Sequence, residues 1–275
     1  MTLTEVRRLI SELHLCPSKS LGQNFLTDQN IRDIILREAD IRADETVVEI
    51  GPGLGALTEC LIKQARRLIA IEKDPRLAEY LRHRFPGLEL IQGDAITFFT
   101  PSTIHHLPST FKVISNLPYS IATPMLERLV EAENKPRLMV LTLQREVAVR
   151  LAATPHHKDY SALTVFTQLF YHVTIVHIVS PHCFYPQPRV DSAIVVLERR
   201  DPRVKLQKNA PFHEVVRLGF GQRRKMLRKL LANYDGLTES LRVTGIAPTA
   251  RAEELSIEQW ITLANALAPP HPTTH

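Results

Sequence analysis

Val47-Val48-Glu49-Ile50-Gly51-Pro52-Gly53-Leu54-Gly55 reads as an apolar strand running into a glycine-rich turn, with a helix expected next. Glycines at such a turn permit positive φ and let the backbone come close to a ligand. The G-x-G-x-G spacing departs from the G-x-G-x-x-G pyrophosphate fingerprint of NAD sites, and the Lys-Ser/Thr of a P-loop is missing. Glu49, just ahead of the turn, disfavours a pyrophosphate and suits a cationic ligand with an amino acid moiety. On either side of this stretch, apolar runs at 46–50, 68–72, 88–92, 111–116, 138–143, 173–179 and 193–197 alternate with helical patterns. That alternation predicts an α/β fold: a Rossmann-like, mostly parallel sheet covered on both faces. Ile31, Ile34, Ile35 and Ala39 form one helical stripe with Asp28 as its N-cap, and Leu77, Tyr80 and Leu81 form another after Asp74-Pro75.

Ligands of open α/β sheets bind at the carboxyl ends of the strands, and those ends carry polar groups here. Glu72 ends the second strand, twenty-one residues after Gly51, where a carboxylate can accept from both hydroxyls of a ribose. Asp94 ends the third and can reach an adenine amine. Asn116-Leu117-Pro118-Tyr119 follows the fourth: an Asn oxygen and a backbone carbonyl can accept both hydrogens of a planar amine, and Tyr119 offers a face for stacking. Each has a plainer reading, Glu72 as a helix-start charge, Asp94 as a turn residue and Asn-x-Pro as turn chemistry. Four consecutive strand ends with suitable groups together outline a site for S-adenosylmethionine.

The chain has 275 residues, 44% of them apolar, enough for one large domain and a small one. It contains no apolar run of membrane-spanning length and no signal-peptide core. Three dispersed cysteines point to a reducing compartment, and cytoplasmic localisation is expected. No metal site is expected; His105-His106 and His156-His157 read as solvated loop. Net charge is only +5, but residues 199–229 hold eleven Lys or Arg against two acids, a block that attracts polyanions. Composition shifts near residue 200, so a domain boundary is expected there, between 1–200 with the cofactor turn and a basic, helical 201–275. A helix is expected over 212–231, broken near Gly219 and Gly221, and a last helix opens at the capping box Ser256-Ile257-Glu258-Gln259. The tail 269–275 is expected to fray.

Gly22-Gln23-Asn24-Phe25-Leu26, Glu49-Ile50-Gly51-Pro52-Gly53, Asn116-Leu117-Pro118-Tyr119, Leu143-Gln144-Arg145-Glu146-Val147 and Pro188-Arg189-Val190-Asp191-Ser192 resemble signatures of the small-subunit ribosomal RNA adenine N6-dimethyltransferases. The match extends through Gln222-Arg223-Arg224-Lys225 and Arg251-Ala252-Glu253. The resemblance implies a class I S-adenosylmethionine-dependent methyltransferase with a small all-helical C-terminal domain, 1–200 being the cofactor-binding catalytic domain and 201–275 the RNA-binding one. It also implies cofactor contacts from Asn24, Leu26, Gly51, Glu72, Asp94 and Asn116. Its substrate would be two adjacent adenosines in a hairpin loop near the 3′ end of 16S rRNA, within the small subunit or its precursor. The family's glycine-bearing Pro-Gly-x-Lys-x-Tyr-Gly stretch is Pro155-His156-His157-Lys158-Asp159-Tyr160-Ser161 here, which leaves that loop's backbone open.

Methyl transfer from a sulfonium asks for in-line positioning and electrostatic preorganisation rather than acid–base machinery. Asn116 and the Leu117 carbonyl are expected to accept from an adenine N6–H, and Tyr119 to stack on one face of the flipped base. Phe184 is the candidate for the other face, with a core aromatic as its plainer reading. The segment 22–26 is expected to fold over the cofactor as a lid. Arg223, Arg224, Lys225 and Arg228 are expected to meet RNA phosphates. A monomer is the default. Rival readings are a large-subunit rRNA adenine methyltransferase, a nonenzymatic nucleic-acid-binding factor on the same fold, and a glutamine or cytosine amine methyltransferase.

Overall fold

The computed structural model describes residues 1–18, 21–100 and 107–268; His105-His106 and the tail 269–275 lie outside the described residues. Nine strands occur among them: β1 (Phe25–Leu26), β2 (Thr46–Ile50), β3 (Arg67–Glu72), β4 (Glu89–Gln92), β5 (Lys112–Asn116), β6 (Leu138–Gln144), β7 (Tyr171–Val179), β8 (Phe184–Tyr185) and β9 (Ser192–Arg199). Seven form one sheet in the order β4-β3-β2-β5-β6-β9-β7. Strands β2 to β6 pair in parallel and β9 runs antiparallel to β6. The sequence pattern shows why: every residue of β2 is buried, as a strand covered on both faces requires. Strand order reverses between β2 and β5, which opens a crevice at their carboxyl ends.

The core against one face joins Ile31, Ile35 and Ala39 of the helix Gln29–Ala39 to Val47, Ile114, Val140 and Ile194. Asp28 caps that helix, accepting from the N–H groups of Asn30 and Ile31. Lys112 is a charge inside an apolar strand, and it is fully satisfied. Its Nζ lies 2.7 Å from Glu45 and donates to the carbonyls of Ala39 and Asp40 at 2.9 and 2.6 Å, so it ties off the same helix's C-terminus.

A helix and a strand pair are among the elements outside the sequence reading. The helix Leu3–Glu12, opened by a Thr2–Glu5 capping box, buries Val6 and Leu9 in a cluster with Phe25, Leu54 and Leu77. Strands β1 and β8 pair antiparallel, Phe25 with Tyr185 and Leu26 with Phe184, in a two-stranded sheet of their own.

The chain forms two compact units, one of Met1–Ala148 with His172–Arg199, the other of Val149–Tyr171 with the described residues from Arg200 onward. Sequence composition places 149–171 with the first 200 residues, but contacts place it in the C-terminal unit. There Gln168 donates to the carbonyls of Leu151 and Ala153, and the Tyr160 hydroxyl donates to the Leu255 carbonyl at 2.9 Å. In this unit the helix Phe212–Gly221 runs through Gly219 and ends at Gly221, where the expected break falls. A Cβ on Gly219 would sit 2.6 Å from the ring of the buried Trp260, so the glycine serves close packing. A second helix, Leu227–Leu230, follows after a turn, and Ile257–Ala266 closes the described chain behind its Ser256 capping box. His156 adopts φ +67°, the left-handed conformation that suits the family's glycine, and its N–H donates to the Glu253 carbonyl at 2.7 Å.

Candidate active site

The turn after β2 holds its shape through glycine. Gly51, Gly53 and Gly55 all have positive φ. A Cβ at Gly51 would come within 2.9 Å of the Pro118 ring, so only glycine lets this turn nest against the Asn116–Tyr119 segment. Ser115 reinforces that junction by donating its hydroxyl to the Ile50 carbonyl. Two neighbouring strand ends are thereby locked together.

Three carboxylates stand along these strand ends in different electrostatic states. Glu72 is 6% exposed; its two oxygens accept from the N–H groups of Gly53 and Asp74 at 3.1 and 2.9 Å. Burial pushes its carboxyl above the ordinary range against those donors. Glu49 is 2% exposed and accepts from the Thr58 hydroxyl at 2.7 Å. Burial, with a further contribution from Glu72, raises it to about 8, so at neutral pH it holds a proton. Asp94 caps the short helix Ala95–Phe98 through the Ile96 N–H, and the Lys73 ammonium 2.9 Å away holds its carboxyl below the ordinary range. Lys73 escaped the sequence reading, although it directly follows Glu72.

Asn116 ends β5. Its Nδ2 donates to the Asn24 carbonyl at 2.9 Å, which turns Oδ1 away as a free acceptor site. The Asn24 side chain in turn donates to the Gly22 carbonyl at 3.3 Å, and Gln23 donates to Asp74 at 3.2 Å. The segment 22–26 is thus fastened to the ends of β5 and β3. Tyr119 begins the 3₁₀ turn Tyr119–Ile121, and its hydroxyl is hydrogen-bonded to that of Ser192.

One cavity is lined by Asn24, Leu26, Glu49, Gly51, Gly53, Glu72, Asp94, Asn116, Leu117 and Tyr119. Eight residues singled out from sequence for cofactor or base therefore meet in one place. Phe184 does not join them. Its ring is 1% exposed in the core cluster with Leu26, Ile35 and Ile194, so stacking on a base would require it to leave apolar packing. The plainer reading of Phe184, a core aromatic anchoring its loop, describes where it stands. Arg224, Lys225 and Arg228 are exposed in the C-terminal unit. Arg223 is engaged otherwise: it pairs with Glu253 at 3.1 Å and donates to the Lys158 carbonyl, pinning the loop that carries His156. Among the described residues no His, Cys, Asp or Glu cluster suits a metal ion, and no helix is long and apolar enough to cross a membrane.

A family model for ribosomal RNA adenine dimethylase matches residues 17–269. The chain belongs to that family. Relatives named ribosomal RNA small subunit methyltransferase A share 40% identity with it in Halothermothrix orenii, over 94% of this chain and 91% of the relative. In Geobacter metallireducens the identity is again 40%, over 90% of this chain and 94% of the relative. Among solved structures, a dimethyladenosine transferase from Plasmodium falciparum superposes with a TM-score of 0.71 at 26% identity, covering 87% of this chain and 95% of that one. The 23S rRNA methyltransferase ErmE superposes with a TM-score of 0.68 at 30% identity, covering 89% and 99%. The fold is that of the class I methyltransferases, and membership of the family makes this chain an rRNA adenine dimethyltransferase using a methyl donor of the S-adenosylmethionine type. The helix Leu3–Glu12 precedes the family match.

Proposed function

We propose that this chain transfers methyl groups from S-adenosyl-L-methionine to N6 of two adjacent adenosines in a hairpin loop near the 3′ end of 16S rRNA, in the small subunit or its precursor. The observation that carries the reading is the single cavity in which the glycine turn, Glu72, Asp94 and Asn116–Tyr119 meet. The names of relatives alike over nine-tenths of the chain support the small subunit as the source of the RNA.

When bound, the cofactor supplies an electrophilic methyl on a positively charged sulfur with a good leaving group. The chain's own residues do the rest. Glu72, fixed by two N–H donors, would accept from the ribose hydroxyls, and Asp94 would accept from the adenine amine. Gly51 and Asn24 would bring backbone close to the cofactor, and Leu26 would pack on its adenine from the lid segment. Glu49 lies beside the turn as a neutral acid that a nearby cation would ionise. At the acceptor end, Oδ1 of Asn116 and the Leu117 carbonyl accept from N6–H, which favours a pyramidal nitrogen with its lone pair aimed along the transfer axis. The base leaves its stack at a cost of a few kcal/mol, least for a loop nucleotide, and stacking on Tyr119 returns about 1–3 kcal/mol. No general base is needed, because the proton leaves to water after transfer. Arg224, Lys225 and Arg228 supply phosphate contacts, while Arg223 maintains the C-terminal unit itself. The enzyme acts as a monomer in the cytoplasm on this reading.

The test is incubation with labelled S-adenosylmethionine and undermethylated small subunits, followed by nucleoside analysis and mapping. N6,N6-dimethyladenosine at adjacent positions of 16S rRNA is the expected product. Label confined to 23S rRNA would favour the reading closer to ErmE, and label in protein or cytosine would overturn both.

A further inference from the structure

Tyr119 lines the acceptor end of the cavity, and its hydroxyl is anchored by a residue remote in sequence, the hydroxyl of Ser192. Ser192 opens β9, is fully buried, and stands opposite Gln144 in the antiparallel register with β6. That strand end is held twice more, by the Arg145 N–H donating to the Asp191 carbonyl at 3.0 Å and by the Arg145–Asp191 ion pair at 3.5 Å. The anchor thus belongs to the rigid sheet, whereas Tyr119 belongs to a three-residue turn after a proline.

The phenol oxygen lies on the axis about which the ring spins. A hydrogen bond there leaves the spin free but fixes the direction of the axis, and so the χ1 rotamer. With the bond made, the ring stays at the mouth beside Asn116. Without it, other rotamers open and the phenol oxygen loses its buried partner. Stacking restrains a flipped base only as well as the ring itself is restrained.

We propose that Ser192 is a positioning residue for methyl transfer, its hydroxyl pinning the Tyr119 ring where the flipped adenine must stack. The inference rests on the reading of Tyr119 given above and deepens it. It has a particular consequence for the second methylation. N6-monomethyladenine carries one N–H instead of two, so one of the two acceptor contacts is lost and alignment leans more heavily on the stacking face.

The experiment is a double-mutant cycle of Ser192→Ala and Tyr119→Phe on the full chain, with undermethylated small subunits as substrate. Each single variant should lower kcat about tenfold, and the double variant should also fall about tenfold rather than a hundredfold, because both substitutions delete one bond. S-adenosylmethionine affinity should stay within about twofold in all three, since the bond touches no cofactor contact. The share of product arrested at N6-monomethyladenosine should rise in each, a change that a general loss of folded protein would not cause. Multiplicative losses in the double variant, or a normal rate and product ratio for Ser192→Ala, would overturn the proposal. If Ser192→Ala does not fold, Tyr119→Phe alone decides, because full activity in that variant is incompatible with the pinning role. Tyr119→Ala separates the two layers. Normal transfer in that variant sinks the stacking role itself, whereas lost transfer beside an unaffected Ser192→Ala sinks only the role of Ser192.

Discussion

Replacing Glu49 by Gln removes one ionisation from the cavity, with an effect that depends on pH. The side chain is 2% exposed and its carboxyl is raised from an ordinary 4.5 to about 8, chiefly by burial. Below 4.5 the group is protonated in both folded and unfolded chains and its full stability contribution is present. Between 4.5 and 8 the unfolded chain ionises first, so stability falls by about 1.4 kcal/mol per pH unit. The accumulated loss is roughly 3 kcal/mol at neutral pH and roughly 5 kcal/mol above pH 8. Gln keeps an acceptor for the Thr58 hydroxyl but cannot ionise. The variant should therefore match the parent near pH 4.5 and exceed it progressively as pH rises, measured by urea denaturation of the ligand-free proteins at acid, neutral and mildly alkaline pH. Binding completes the argument. A cationic ligand favours ionised Glu49, so uptake of S-adenosylmethionine at neutral pH should release a proton, and affinity should weaken as pH drops below 8. Calorimetry in two buffers of different ionisation enthalpy reads that proton directly, and the Gln variant should release none from this group. A stability difference between parent and variant that ignores pH, together with proton-neutral binding, would refute a neutral Glu49.

Glu72→Ala should weaken S-adenosylmethionine binding about tenfold to a hundredfold by removing a charged acceptor, with RNA affinity kept; unchanged calorimetric affinity would argue against the ribose role. Asn116→Ala should abolish methyl transfer while the melting temperature stays within a few degrees, and near-normal turnover counts against the acceptor geometry. Neutralising Arg224, Lys225 and Arg228 together should weaken RNA binding and reduce the salt slope by roughly 2–3, whereas Arg223→Ala should lower thermal stability and leave the slope nearly unaltered. His156→Gly relieves a left-handed non-glycine residue at φ +67° and should stabilise the protein by about 0.5–1 kcal/mol, visible as a higher melting temperature.

Much of the sheet was legible because its central strands β2, β3, β5 and β6 are short apolar runs buried on both faces, a pattern composition alone exposes. Strand ends were legible for a related reason: polar residues such as Glu72, Asp94 and Asn116 stand out directly after apolar runs. Hidden elements were of two kinds. Strands β1 and β8 are two residues each and exist only because segments far apart in sequence pair, which no local periodicity records. The segment 149–171 resembles any other α/β stretch, and only contacts such as Tyr160 with Leu255 assign it to the C-terminal unit.

Sequence by itself settled the family, the order of strands along the chain and the chemical types gathered for a methyl donor and a planar amine, because these follow from local pattern and spacing. Tertiary structure alone decided which of those side chains line the cavity and which are held elsewhere. Phe184 turned inward because an aromatic ring beside an apolar cluster gains more from burial than from waiting at a surface. Arg223 was drawn to Glu253 and a carbonyl because those partners were close in space. Lys73 and Ser192 meet Asp94 and Tyr119 through contacts that chain order does not encode.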